Sequence, residues 1–247
     1  MRRRAFTLIE LLVVVGIIAL LIAILIPSLT AARERGKNVS CLAKLHAYGT
    51  ALGAYTSDWG DTLPTVYYWP QPLLIYIAQR ADPNDSTQAP VEYFKFQRCP
   101  AATLTITNPK AVLYGGNVNA FSGSGSPTDP YVKMASISRQ SEVIAIGDVN
   151  QAWADGGGWW VFDWTSGDLT SAKFGMTAPL TGDMIVPPGI GNQDSTGPTV
   201  SASSLRYRHG SVFSTTAGTG NVLFFDMHSE GIKMGTLQVR NIMLKGF

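Results

Sequence analysis

The sequence predicts an α+β fold: a long N-terminal α-helix, apolar enough at its start to cross a bilayer, continuing into a domain with an antiparallel β-sheet. Three observations carry this prediction. Uncharged sequence runs from Leu11 to Ala32, and at 1.5 Å per residue such a helix is about 33 Å long, close to the hydrocarbon thickness of a bilayer. An apolar stripe then recurs every three or four residues through Val39, Leu42, Leu45, Tyr48, Leu52 and Tyr55, the period of an amphipathic helix. Beyond residue 80 the chain breaks into short apolar runs between Gly-, Asn- and Asp-rich turns, the pattern of strands rather than helices.

Charge follows the same division. Residues 1–46 hold seven Lys or Arg against two acids, whereas the remainder holds twelve bases against fifteen acids. A basic leader on an acidic remainder suggests a membrane or a nucleic acid at the N-terminus. The apolar run after Arg2, Arg3 and Arg4 decides for membrane lipid, and no nucleic-acid partner is expected. The charged fraction of 15% is low for a soluble domain, and 25 aromatic residues exclude a disordered chain. Two cysteines exclude a disulfide-dense scaffold and a zinc site of four thiolates.

The helix is expected from about Phe6 to Ser57, ending at Asp58-Trp59-Gly60-Asp61 and Pro64. Gly36, Gly49 and Gly53 weaken its second half by about 1 kcal/mol each relative to Ala, so tertiary packing has to hold it. Residues 73–78 suggest a short helix after two prolines. Val112–Tyr114, Val143–Ile146, Trp160–Phe162 and Val222–Phe225 are the strand candidates. Residues 115–130 and 165–203 are rich in Gly, Ser, Thr and Pro and read as surface loops.

Glu10 interrupts the start of the apolar run, in Phe6-Thr7-Leu8-Ile9-Glu10-Leu11. A carboxylate within hydrocarbon costs roughly 2.5–3.5 kcal/mol on insertion scales, unless it lies at the interface or finds a partner. The string from Arg2 through Glu10, with the apolar run and Pro27, resembles the N-terminal signature of type IV prepilins and type II secretion pseudopilins. The resemblance implies a pilin-like fold and a leader of residues 1–5, cut between Ala5 and Phe6 by prepilin peptidase with N-methylation at Phe6. Ala5 stands where the family usually has Gly.

It further implies a transmembrane and assembly helix over 6–32, a periplasmic half over 33–60 and a globular β-rich domain over 61–247. The implied partners are other pilin or pseudopilin subunits and an inner-membrane assembly platform. The implied place is the inner membrane, single-pass with the N-terminus cytoplasmic and the domain periplasmic, then a filament or the cell surface. Glu10 and Pro27 become assembly residues: each Glu10 neutralises a neighbour's Phe6 amine, and Pro27 sits at the helix-bending position. A secretory signal peptide cut near Ala31-Ala32 is the competing reading of the apolar start.

Cys41 lies on the helix and Cys99 in Arg98-Cys99-Pro100. In an oxidising compartment they are candidates for a single disulfide, the alternative being two buried free thiols. His209, Asp226, His228 and Glu230 form the most chemical-looking group, since the last three alternate onto one face of an extended strand. They are either metal ligands or the polar outer face of a C-terminal hairpin. The segment also resembles prepilin-like proteins whose terminal hairpin carries an Arg-His and then an Asp-Gly-His. Those proteins commonly add a helix Cys, a Cys-Pro and a Tyr-Gly-x-Asn stretch, here Cys41, Cys99-Pro100 and Tyr114–Asn117. Met227 stands at the Gly position, and sixteen residues separate His209 from Asp226.

Trp153, Trp159, Trp160 and Trp164 surround Asp155 and three glycines, and either stack on a ligand such as a sugar or close a small core. No residue set specifies an enzyme, and no cofactor is expected beyond a candidate metal ion. The expected function is therefore a non-enzymatic filament subunit. The alternative is a membrane-tethered enzyme or metal- or carbohydrate-binding domain that uses the signal only for export.

Overall fold

A computed structural model describes residues 7–65, 69–78, 96–107, 111–121, 131–151, 161–162, 169, 176–186, 205–210 and 217–244. Helix α1 (Leu8–Asp58, 51 residues) is about 77 Å long. Thr7 caps its N-terminus, and Tyr55 O accepts from the Trp59 N–H at its other end. Pro27 sits inside it. Beside the proline, the Ser28 hydroxyl donates to Leu25 O at 2.8 Å and the Thr30 hydroxyl to Ile26 O at 3.0 Å.

The two halves of α1 meet different surroundings. From Leu8 to Ala32 every side chain is exposed, which makes this a helix long and apolar enough to cross a membrane. In the second half Cys41, Leu45, Tyr48, Leu52 and Tyr55 are buried on one face, at the i, i+4, i+7 spacing of a helical stripe. Val39, expected in that stripe, is 65% exposed; Cys41 begins the buried face instead.

Helix α2 (Pro70–Ala78) takes in the short run expected to be helical over 73–78, starts at the first of the two prolines, and packs against α1. The sheet contains β1 (Tyr114–Asn117), β2 (Ile144–Asp148), β3 (Val161–Phe162), β4 (Thr219–Phe224) and β5 (Ser229–Lys233) in the order β3-β1-β2-β4-β5. Four strands pair antiparallel, and β3 adds to β1 in parallel. The fold is therefore α+β, with the long helix lying across β4 and β5.

Alternation along β4 divides the core. Leu223, with Phe225 just beyond the strand, joins the α1 face with Tyr48, Trp69, Tyr114 and Phe121. Val222 and Phe224 face the opposite layer with Phe162, Leu205, Val239 and Ile242. That is the period of two expected of a strand buried on both sides. On β2 a register shift between Ile144 and Ile146 sends these two residues to opposite cores.

Gly49 sets the distance between helix and sheet. A Cβ there would stand 2.8 Å from Leu223 Cδ1 and 3.1 Å from Met227 O, so glycine permits the close approach. Asn117, fully buried at the end of β1, donates through Nδ2 to Ile144 O at 2.8 Å and to Ile242 O at 2.9 Å. It ties the sheet to the C-terminal 3-10 turn over Val239–Asn241.

Candidate functional site

Among the described residues, two places carry chemistry. At the start of α1, the Thr7 N–H and hydroxyl both donate to Glu10 Oε2 at 2.9 Å, and the Glu10 N–H donates to Thr7 Oγ1 at 3.3 Å. This reciprocal capping box satisfies two donors that a helix N-terminus otherwise leaves unpaired. It also holds the carboxylate at the end of the helix where the backbone dipole favours negative charge. Ala5 and Phe6 lie outside the described residues.

The second place is inside the domain, where four distant segments meet. Cys41 comes from α1. Cys99 follows a turn held by Lys44 Nζ, which donates to Arg98 O at 2.7 Å, and by the Leu113 N–H, which donates to Gln97 O at 2.9 Å. Asp148 ends β2. His209 lies on a segment paired with the start of β4, exchanging backbone bonds with Thr219.

All four side chains are buried, and their ligand-type atoms lie within 4.8 Å of one another. Asp148 Oδ2 is 3.5 Å from Cys41 Sγ and 3.1 Å from His209 Nε2. That same imidazole nitrogen is 3.5 Å from Cys99 Sγ. The Tyr114 hydroxyl donates to Cys41 Sγ at 3.4 Å. Arg208 Nε stands 3.6 Å from Asp148 Oδ1, and a terminal guanidinium nitrogen of Arg208 donates to Val149 O.

The electrostatics follow from burial and from these partners. Burial by itself would lower the His209 pKa; its hydrogen bonds with Asp148 and Cys99 and the Asp148 charge outweigh it and raise it to about 9. Burial pushes the Cys99 thiol well up, reinforced by Cys41 and Asp148. A thiol held protonated is a weak nucleophile. Of the two alternatives for the cysteines, the structure holds free thiols.

The expected grouping of His209 with Asp226, His228 and Glu230 needs correction. The alternation assumed for residues 226–230 is broken by a tight turn, in which the Phe224 N–H donates to His228 O at 2.9 Å and Met227 takes a φ of 73°. Asp226 and His228 pair with each other in that exposed turn, and the His228 ring stacks on Phe224. Glu230 is exposed on β5. His209 is buried away from solvent at 1% exposure, with Asp148 and Cys99 as its partners.

Asp148 is the residue that sequence reasoning missed. Its only signal was position, a carboxylate directly closing the apolar run Val143–Ile146 and Gly147. Trp153, Trp159, Trp160 and Trp164 lie outside the described residues.

Comparison with known proteins bears on the first place. The family model of the prokaryotic N-terminal methylation motif matches residues 1–26. The chain carries a prepilin-type signal. No curated protein and no solved structure matches the chain. A prepilin-type signal implies processing by prepilin peptidase and assembly of the pilin kind in general. Together with the exposed apolar half of α1, it is consistent with membrane anchoring. Glu10 and its cap lie within the matched signal, whereas Pro27 follows its last residue.

Proposed function

We propose that the chain is a non-enzymatic structural subunit of a type IV pilus or type II secretion pseudopilus. Prepilin peptidase cuts between Ala5 and Phe6, Phe6 is N-methylated, and the mature chain enters a helical filament from an inner-membrane platform. The N-terminus starts in the cytoplasm and the globular domain on the periplasmic side.

One observation carries this reading. The apolar half of α1 is uncovered along its whole length, yet it continues without a break into the helix that anchors the domain core. Lipid covers that surface before assembly, and neighbouring α1 helices replace lipid in the filament. This exchange suits a helix whose apolar residues surround it on all sides. Glu10 then acts in register. Its carboxylate sits at the helix start, one turn from the amine that cleavage creates at Phe6, and a neighbour's amine neutralises it. Leaving either charge unpaired in an apolar bundle costs several kcal/mol.

Shearing filaments from producing cells and probing them for the chain tests the proposal. It expects the chain in the filament fraction, with Glu10→Ala retained in the membrane and lost from filaments. Normal incorporation of Glu10→Ala contradicts the role given to that residue. Absence of the wild-type chain from every filament fraction contradicts the function.

A further inference from the structure

We propose that Cys41, Cys99, Asp148 and His209 form a structural site for one divalent transition metal of the zinc class, which staples the long helix to the sheet.

The donor set fits that chemistry. Two sulfurs, one imidazole nitrogen and one carboxylate oxygen are the ligand types zinc takes, and four protein ligands with no open position describe a structural rather than a catalytic centre. The geometry fits as well. With bond lengths of about 2.3 Å to sulfur and about 2.0–2.2 Å to nitrogen or oxygen, a tetrahedron has edges of about 3.5 Å between S and N or O, and about 3.3 Å between N and O. The corresponding separations are 3.5 Å for Cys41 Sγ to Asp148 Oδ2, 3.5 Å for Cys99 Sγ to His209 Nε2, and 3.1 Å for Asp148 Oδ2 to His209 Nε2. A single carboxylate oxygen and a single imidazole nitrogen make all three contacts, and all four ligand atoms lie within 4.8 Å of one another.

Charge balance supports the same occupant. On binding, the metal takes the place of the two thiol protons and of any proton on His209 Nε2, which leave to solvent. Two thiolates, a carboxylate and a neutral imidazole around a dication carry one net negative charge. Arg208, fully buried and 3.6 Å from the far oxygen of Asp148, supplies the compensating positive charge. No redox step is involved, and a Cys41–Cys99 disulfide would remove two of the ligands.

The consequence is mechanical. The four ligands come from α1, the segment before β1, the end of β2 and the segment paired with the start of β4. One ion would therefore join the helix that enters the membrane to the sheet that builds the domain.

The test uses the full-length chain in detergent, reduced and stripped of metal, titrated with Co²⁺ and then with Zn²⁺. The expected result is one equivalent of cobalt per chain, with the visible bands of a tetrahedral centre and a thiolate-to-cobalt charge-transfer band, both abolished by zinc. Cys99→Ser and His209→Gln should each weaken binding at least about tenfold, whereas Asp226→Ala and His228→Ala leave it unchanged. The absence of a thiolate–cobalt band in the reduced wild-type chain overturns the proposal, whatever the variants do. So does binding that survives both Cys99→Ser and His209→Gln.

Discussion

Asp148 and His209 meet at 3.1 Å in the interior, with the Arg208 guanidinium on the other side of the carboxylate. Taking away the carboxylate removes the acid that stands 3.6 Å from the buried Arg208 Nε and 3.1 Å from His209 Nε2. Removing one partner of a buried pair typically costs about 3–5 kcal/mol. Asp148→Ala is therefore expected to destabilise the domain by about that much, measured by denaturant unfolding of the detergent-solubilised chain. A loss below about 1 kcal/mol would show that the charges are solvated after all.

Two glycines of α1 should respond to alanine with opposite signs. Gly36 has open space around it, so Gly36→Ala gains helix propensity and stabilises by up to about 1 kcal/mol. Gly49 has Leu223 Cδ1 at 2.8 Å from a would-be Cβ and the Met227 carbonyl at 3.1 Å. Overpacking of that kind costs about 1–3 kcal/mol, which exceeds the propensity gain. Gly49→Ala is expected to lower the thermal midpoint while Gly36→Ala raises it, and scanning calorimetry of both variants checks the pair.

Asn117→Ala tests the tie between β1 and the C-terminal turn. It removes the Nδ2 donor from Ile144 O and leaves Ile242 O with the Asn119 Nδ2 donor at 3.1 Å. A buried acceptor left short of its donor costs about 1–3 kcal/mol, so a loss of about 1–3 kcal/mol is expected in the same unfolding measurement. Asn117→Asp should be no better, because a carboxylate offers no donor to either carbonyl.

Glu10 has two separable jobs. A glutamine at the third helical position can still complete a capping box with Thr7, but it brings no charge for a neighbour's amine. Glu10→Gln is therefore expected to keep the start of α1 folded and still fail in filament incorporation, much as Glu10→Ala does. Normal incorporation of Glu10→Gln would assign the residue to capping alone. Circular dichroism of the membrane-extracted chain and filament shearing read the two jobs separately.

The long helix was legible because its signals are local. Hydropathy, length and the three-to-four-residue period all lie within one stretch of chain, and α1 runs Leu8–Asp58 against an expected Phe6–Ser57. Strand positions were legible to within a few residues for the same reason, as at Val143–Ile146 against β2 at Ile144–Asp148. The buried cluster was not, because its members are separated by 58, 49 and 61 positions along the chain and nothing local announces their meeting. Arg208-His209 draws attention to His209, but its acid in the structure is Asp148 rather than Asp226 or Glu230. Alternation along a strand implied one face for Asp226, His228 and Glu230, but Met227 adopts the left-handed conformation that closes a turn between them. That turn forms with methionine at the position where the resembling proteins carry glycine.

The measurement that bears most directly on the proposed function is the intact mass of the chain isolated from cells with and without prepilin peptidase. With the peptidase, the expected mass lacks residues 1–5 and gains one methyl group; without it, the chain retains Met1 through Ala5. A chain that loses everything through about Ala32, or that keeps its leader in the presence of the peptidase, would contradict a processed filament subunit.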